Sequence, residues 1–126
     1  MQIIIKFDEN GKILPYSGGR LITMDESPFL IFLASAGMCS AVYVRAFMAQ
    51  RGMSLEGVSL TESISYNRVT NMVDTINIHV ELPPSFPEKY KNAVKSAIAQ
   101  CPVKRHLGTP PNFEIQTSLD LEEKSA

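Results

Sequence analysis

The chain contains two cysteines, and their residue types and surroundings are compatible with thiol chemistry. Cys39 lies in ASAGMCSAVYV (34–44), the least polar run of the sequence, and Cys101 comes immediately before Pro102 in IAQCPVKRHLG (98–108). A thiolate is a nucleophile, so two thiols that meet can form a redox couple. Free cysteine is also among the most frequently buried residues and often packs as a small hydrophobe. The residues alone leave both interpretations open.

A reactive cysteine needs a cation nearby, because a buried thiol without one has a raised pKa. Arg45 follows Cys39 by six residues, about 240° around a helix, and therefore faces elsewhere. Arg20 follows two glycines in a turn that precedes the same helix, from which it could fold back over the thiol. The other candidate cations are Arg51, Lys104 and Arg105.

A metal site is the remaining possibility for these thiols. Cys39, Cys101, His79 and His106 are its candidate ligands, but Cys101 and His106 are five positions apart, a poor spacing for a zinc pair. His79 falls on the polar side of an alternating segment. We therefore expect neither a metal nor a cofactor.

Composition limits the class of protein. The 126 residues include 44% hydrophobic and 20% charged residues, so we predict a single globular domain over 1–126. Twelve basic residues against thirteen acidic ones give a net charge of -1, and the basic residues are scattered, which argues against nucleic-acid binding. The first residues lack the cationic and apolar segments of a secretory signal. We expect a cytoplasmic protein, in which a disulfide would be transient rather than structural.

The first half of the chain predicts a hairpin followed by a long helix. IIIKF (3–7) and KILPY (12–16) flank an Asn-Gly turn, the strongest short hairpin signal. Ser27 and Pro28 predict the start of a helix over 28–50, and Gly52 predicts its end. Residues 27–44 carry no charge and just reach the length of a membrane span. Because amphipathic strands on both sides need apolar cover, we interpret the segment as a buried core helix and expect no membrane contact.

The second half predicts a hairpin, a shorter helix and a last strand. Residues 58–68 and 72–82 alternate as half-buried strands around Asn71. Ser85 and Glu88 have the spacing of a capping box. The helix that follows has one apolar stripe: Tyr90, Ala93, Val94, Ala97, Ile98 and Cys101. FEIQTSL (113–119) predicts the final strand. The layout is α+β, and the long helix is apolar on more faces than one small sheet can cover, which requires a second sheet or a second subunit.

Two segments together resemble a known family. The run from 27 to 52, SPFLIFLASAGMCSAVYVRAFMAQRG, followed by CPVKRHL at 101–107, resembles the OsmC/Ohr family of osmotically inducible and organic-hydroperoxide-resistance proteins. The AGMCSA segment (36–41) is most similar to the less characterised OsmC-like branch. The resemblance implies an intertwined homodimer, in which sheets built from both subunits wrap two long central helices.

The resemblance also implies roles for three residues. Cys39 takes the place of the family's peroxidatic nucleophile, Cys101 that of the resolving cysteine, and Arg20 that of the arginine that holds the thiolate. Small organic hydroperoxides are then the substrates, and a dithiol, a lipoylated protein in the best-known members, is the reductant. A binding protein for a small apolar or thiol-containing ligand, without turnover, is the alternative.

The chain departs from the family at one position. The enzymes carry a glutamate just after the helix-start proline, where it orients the arginine, and this chain has Phe29 and Leu30 there. Glu26 lies on the other side of Pro28. The resemblance therefore does not supply Arg20 with a carboxylate partner.

Overall fold

The computed structural model describes residues 1–119, which form one antiparallel sheet and three helices. The strands are β1 (Gln2–Phe7), β2 (Ile13–Ser17), β3 (Arg20–Leu21), β4 (Ser59–Asn67) and β5 (Met72–Glu81). The helices are α1 (Pro28–Gln50), α2 (Lys91–Ile98) and α3 (Pro102–Gly108), and a single 3₁₀ turn, Glu88–Tyr90, precedes α2. The strand order is β3-β2-β1-β4-β5. The predicted α+β class is confirmed.

Both predicted hairpins form, and each turn has a local cause. Between β1 and β2, Asp8 Oδ1 accepts backbone hydrogen bonds from Asn10 and Lys12, each at 2.8 Å. Gly11 has φ +78, a conformation that glycine adopts without steric cost. Between β4 and β5, Asn71 takes φ +56, which asparagine tolerates better than most residues.

Helix α1 begins and ends where its sequence predicts. The Ser27 Oγ accepts a hydrogen bond from the Leu30 backbone N–H at 3.2 Å, and Pro28 occupies the first helical position. Gly52, with φ +66, follows the last turn. The helix thus holds 23 residues and packs on β1, β2 and β4.

Residues 1–119 cover only one side of α1. The buried side consists of Leu33, Ala34, Ala36, Gly37, Ser40, Ala41, Val44, Phe47 and Met48. Phe29, Phe32 and Val42 on the other side are exposed. Helix α1 is long and apolar enough to cross a membrane, but core helices of soluble proteins also meet these two criteria. Of its most apolar 18-residue segment, 39% is buried. As the sequence predicted, a single sheet leaves part of this helix uncovered.

Three predicted features of the second half are wrong. The stripe that ends in Cys101 does not belong to one helix: α2 ends at Ile98, and Cys101 takes an extended conformation, with ψ 124, before Pro102. The residue before a proline avoids the helical region, and proline then starts α3 at its first position. The helix formed by 102–108 was not predicted.

The other two errors concern a cap and a strand. Pro87 precedes the 3₁₀ turn and no side chain caps it, so the Ser85–Glu88 capping box does not form. Residues 113–119 are not a strand, and Phe113, Ile115 and Leu119 are exposed. Alternation does not make a strand unless a neighbouring backbone pairs with it, and the sheet described for 1–119 ends at β3 and β5.

The closest approach of α1 to the sheet occurs at Gly37. A Cβ atom placed there would lie 2.7 Å from Glu62 Oε1 and 3.1 Å from Ile5 Cγ1. Both are core residues, with exposed fractions of 0%. The absence of a side chain at Gly37 therefore sets how closely the helix packs on β1 and β4.

Replacing Gly37 should reveal this constraint. Alanine favours a helix interior by about 1 kcal/mol over glycine, but overpacking a core typically costs about 1–3 kcal/mol. We expect Gly37→Ala to lower the free energy of unfolding in urea by about 1–2 kcal/mol net, because the two neighbours have no free space to enter. Gly108→Ala is the matched control, since a Cβ there meets nothing within 4 Å. Equal stability of the two variants would contradict the close approach.

Candidate active site

Cys39 lies on the side of α1 that faces away from the sheet. Gly37 contacts β1 and β4, and two further residues turn the helix by about 200°. The Cys39 side chain therefore points to the opposite side, toward the start of α3, and is partly exposed. Small neighbours, among them Ser35, Ala36 and Ser40, leave room around the sulfur.

Cys101 is fixed in the junction between α2 and α3. Its backbone N–H donates to the Ile98 carbonyl at 2.9 Å, and its carbonyl accepts from the Arg105 N–H at 3.0 Å. The exposed fraction of the residue is 0%. Pro102 ends one helix and begins the next, so the thiol sits at a corner that packs against α1.

The structure brings the two thiols together. Both cysteines are free, and the Cys101 thiol forms a hydrogen bond with Cys39. The Val103 backbone N–H also bonds to the Cys39 sulfur. Because Pro102 has no N–H, Val103 carries the first amide hydrogen of α3, and the proline places it at the sulfur.

The pKa of the Cys39 thiol is raised above its ordinary value. Burial is the largest cause, and the hydrogen bond and charge of Cys101 act in the same direction. The Val103 N–H opposes them by stabilising the thiolate. In this geometry Cys39 is held mainly as a thiol, and its activation requires a positive charge.

Arg20 does not supply that charge to Cys39 of its own chain. Within 1–119 the only residues whose interactions shift the Cys39 pKa are Cys101 and Val103. Arg20 lies in β3 at the edge of the sheet, where its Nη2 bonds to Glu26 Oε1 at 2.8 Å. Arg20 thus has a carboxylate partner in Glu26, on the N-terminal side of Pro28, which the resemblance did not supply.

The remaining sequence candidates lie in other environments. Arg45 donates to the Gly11 carbonyl at 2.8 Å, and the Arg51 guanidinium lies 3.6 Å over the Phe47 ring. The His79 Nε2 is 3.2 Å from Glu81 Oε1, and the His106 ring faces the Pro102 carbonyl. Over 1–119 no group of three or more His, Cys, Asp or Glu side chains is placed to hold a metal ion.

An apolar cavity of about 530 Å³ adjoins the thiol side of α1. Ala36 and Ser40 form its floor, side chains of β5, α2 and α3 form its walls, and Lys95 and Lys104 lie at its margin. A larger groove of about 870 Å³ lies beside the β1–β2 turn, and neither cysteine lines it. Neither cysteine lines the smaller cavity, but its lining includes Ser40, the residue that follows Cys39.

Comparison with known proteins agrees with this architecture. A family model described as OsmC-like protein matches residues 25–116, well over half of the chain. The chain belongs to the OsmC-like family. No curated protein and no solved structure matches it. The matched region of this OsmC-like protein includes both cysteines and Glu26 and begins after Arg20.

Sequence reasoning missed two polar groups near the site. The Val103 N–H could have been found from Cys-Pro, because proline at the first helical position leaves the next amide as the first free donor. Glu62 lies between Leu60 and Ile64 at an inward position of β4, and the alternation that marks those two as buried marks Glu62 as well.

The raised pKa of Cys39 leads to a prediction for the isolated thiol. Cys101→Ala removes the hydrogen bond and the charge of Cys101, both of which raise this pKa, and leaves the Val103 N–H in place. We expect a lower Cys39 pKa and faster alkylation at neutral pH, since the thiolate is the reactive form. The measurement is the rate of Cys39 alkylation against pH in both proteins. An unchanged pH midpoint would show that Cys101 does not influence Cys39.

Proposed function

We propose that this OsmC-like protein is a thiol-dependent reductase of small organic hydroperoxides, with Cys39 as nucleophile and Cys101 as resolving thiol. The observation that carries the proposal is the contact between two free thiols that differ in access. Cys39 is partly exposed and can meet a peroxide, whereas Cys101 is fully buried and can meet only Cys39. This asymmetry is what a two-cysteine peroxidase needs.

The reaction balances with these two residues and an external dithiol. The Cys39 thiolate attacks one peroxide oxygen, the O–O bond breaks, and the alkoxide takes a proton and leaves as an alcohol. Cys39 is then a sulfenic acid. The Cys101 sulfur attacks it, the oxygen leaves as water, and a Cys39–Cys101 disulfide remains. A dithiol reductant restores both thiols by exchange and is itself oxidised to a disulfide.

The activating charge is proposed to come from a second copy of the chain. Cys39 is partly exposed beside α3, and the exposed side chains of Phe32 and Val42 lie near it on the side of α1 that faces away from the sheet. A homodimer that buries this side would bring another Arg20 toward each thiol. Glu26, bonded to Arg20, then takes the place of the glutamate that the family carries after the proline.

The uncovered segments of the chain favour an intertwined dimer. Phe113, Ile115 and Leu119 are exposed in the structure described for residues 1–119, and the second face of α1 needs apolar cover. A second copy provides both a sheet edge and an apolar surface. We propose such a cytoplasmic homodimer as the working form.

Binding without turnover is the second candidate function. The apolar cavity of about 530 Å³ and the raised pKa of Cys39 both favour it over catalysis in the single chain. A small apolar or thiol-containing ligand fits these observations. The two candidates differ in whether peroxide is consumed.

One equivalent of an organic hydroperoxide should distinguish them. We expect the wild-type chain to lose two hydrogens as a disulfide forms, and the Cys101→Ser variant to gain one oxygen at Cys39. Cys39→Ser should return unmodified at the same time. Intact mass spectrometry followed by peptide mapping makes the measurement. Unmodified wild type would exclude peroxide reduction and leave the binding function.

The arginine–glutamate pair provides the matched controls. Arg20→Ala and Glu26→Gln should both slow oxidation of Cys39, because each removes one partner of the 2.8 Å ion pair. Arg68→Ala, an exposed arginine in the β4–β5 turn, should not. Equal rates in all three variants would remove Arg20 from the mechanism.

The assembly makes a separate prediction. We expect light scattering to give a dimer at micromolar concentration, and Val42→Glu to dissociate it by placing a charge on the apolar side of α1. Val69→Glu is the control, since Val69 is also an exposed valine but lies in the β4–β5 turn. A well-folded wild-type monomer would contradict the dimer.

A further inference from the structure

One buried ionisable group has no role in the proposed reaction. Glu62 lies on β4, the strand between β1 and β5, and its exposed fraction is 0%. Neither of its carboxyl oxygens has a hydrogen-bond partner among the described residues. A buried polar group without a partner typically costs about 1–3 kcal/mol, more when it is charged. Such a group is not retained for stability.

The surroundings of Glu62 are apolar on every side. Its cross-strand neighbours are Ile3 on β1 and Ile78 on β5, and Leu60 and Ile64 flank it on β4. Above it lies the Gly37 backbone of α1, where no side chain separates the carboxyl from the helix. The carboxyl therefore sits directly in the helix–sheet interface.

The charged groups of the elements around Glu62 are engaged elsewhere. Lys6 lies over the Tyr16 ring, Arg45 bonds to the Gly11 carbonyl, and the N-terminal ammonium bonds to the Ile64 carbonyl at 3.3 Å. On β5, His79 and Glu81 pair with each other and Asp74 is exposed. No charged side chain of residues 1–119 compensates a negative charge on Glu62.

We propose that the Glu62 carboxyl is a proton switch in this interface. Its neutral form lets the middle turn of α1 pack on β4. Its ionised form drives that turn away from β4 and loosens the contact between Cys39 and Cys101. Cys39 is two residues beyond Gly37 on the same helical turn, so displacement at Gly37 moves both. Cys101 is held by backbone hydrogen bonds to Ile98 and Arg105 at the α2–α3 corner, so its position is set by other contacts than the one at Gly37.

The direction of the effect follows from the titration of Glu62. Burial raises the pKa of its carboxyl from 4.5 to about 7, and the nearby Gly37 backbone N–H, which does not reach hydrogen-bonding geometry with either oxygen, opposes the shift only in part. The closed form therefore holds its proton up to about pH 7, whereas a form with exposed Glu62 releases it near pH 4.5. Opening is linked to proton loss, so it becomes easier as pH rises between these values and levels off above the higher one.

The experiment traps the buried thiol. In a Cys39→Ser background, Cys101 reacts with a pyridyl disulfide reagent, which works at acid and neutral pH, only when its contact with α1 opens. The protein with Glu62 is compared with the Glu62→Gln variant, whose side chain has the same shape as glutamate and cannot ionise. Because Cys101 is the reacting thiol in both proteins, the ratio of the rate with Glu62 to the rate with Gln at this position isolates the effect of Glu62.

We expect the trapping rate of the protein with Glu62, divided by that of Glu62→Gln, to rise between pH 5 and pH 7 and then to level off. The rise is at most about tenfold per pH unit, the limit for one proton. Glu9→Gln, an exposed carboxylate in the β1–β2 turn, should give a ratio that does not change with pH. A constant ratio for Glu62→Gln over the same range would overturn the proposal.

A second measurement needs no trapping and no thiol. The infrared spectrum of the wild-type protein at pH 6 should contain the carbonyl band of a protonated carboxyl group, which the Glu62→Gln variant lacks. If glutamine does not fold there, Glu62→Met, of similar length and without a proton, replaces it in both measurements. Absence of the protonated band at pH 6 in wild type would also overturn the proposal. Neither result depends on peroxide reduction, so a failure here is distinct from a failure of the proposed function.

Discussion

The close packing of α1 on the centre of the sheet determines where the other parts of the molecule lie. Gly37 allows the helix backbone to approach Glu62 and Ile5 more closely than any residue with a side chain would permit. This contact fixes the rotation of the helix, because Leu33, Ala41 and Val44 fall on the same side and are buried with it. Cys39, about 200° away, is then directed to the side on which α2 and α3 pack.

The second constraint is the proline after Cys101. A residue before proline is driven out of the helical region, so the chain turns sharply between α2 and α3 instead of continuing one helix. The turn buries the Cys101 thiol against Cys39. The same proline lacks an N–H, which makes the Val103 amide the first donor of α3 and directs it to the Cys39 sulfur. A single residue thus produces both contacts of the candidate nucleophile.

Local signals predicted the elements that depend on local chemistry. Asn10–Gly11, the Ser27–Pro28 start and Gly52 act through their own backbone preferences, and each of them appears where the sequence places it. The family resemblance rested on the segments that contain Cys39 and Cys101, and both lie within the matched residues 25–116, although α2 ends at Ile98 and not at Cys101. Arg20 had to be assigned by analogy, because no local pattern tells where an arginine at a sheet edge will point.

The features that sequence did not predict depend on contacts between distant segments. Residues 113–119 have the alternation of a strand, but a strand exists only where another backbone accepts its hydrogen bonds. The Arg20–Glu26 pair depends on how a glycine turn folds back on the residues before a helix. Glu62 is a further case: its position in the alternation shows that it points inward, but only the three-dimensional structure shows that no partner meets it there.

The uncovered side of α1 and the inactive state of Cys39 have the same physical origin. A thiol that is partly buried beside another thiol, with no cation from residues 1–119 beside it, is disfavoured as an anion. The exposed apolar residues around it are equally unfavourable in water. A partner surface that contributes both apolar cover and an arginine would relieve the two at once, because desolvation strengthens the attraction between the thiolate and the guanidinium. Coupling assembly to thiol activation in this way would confine a reactive thiolate to the assembled protein.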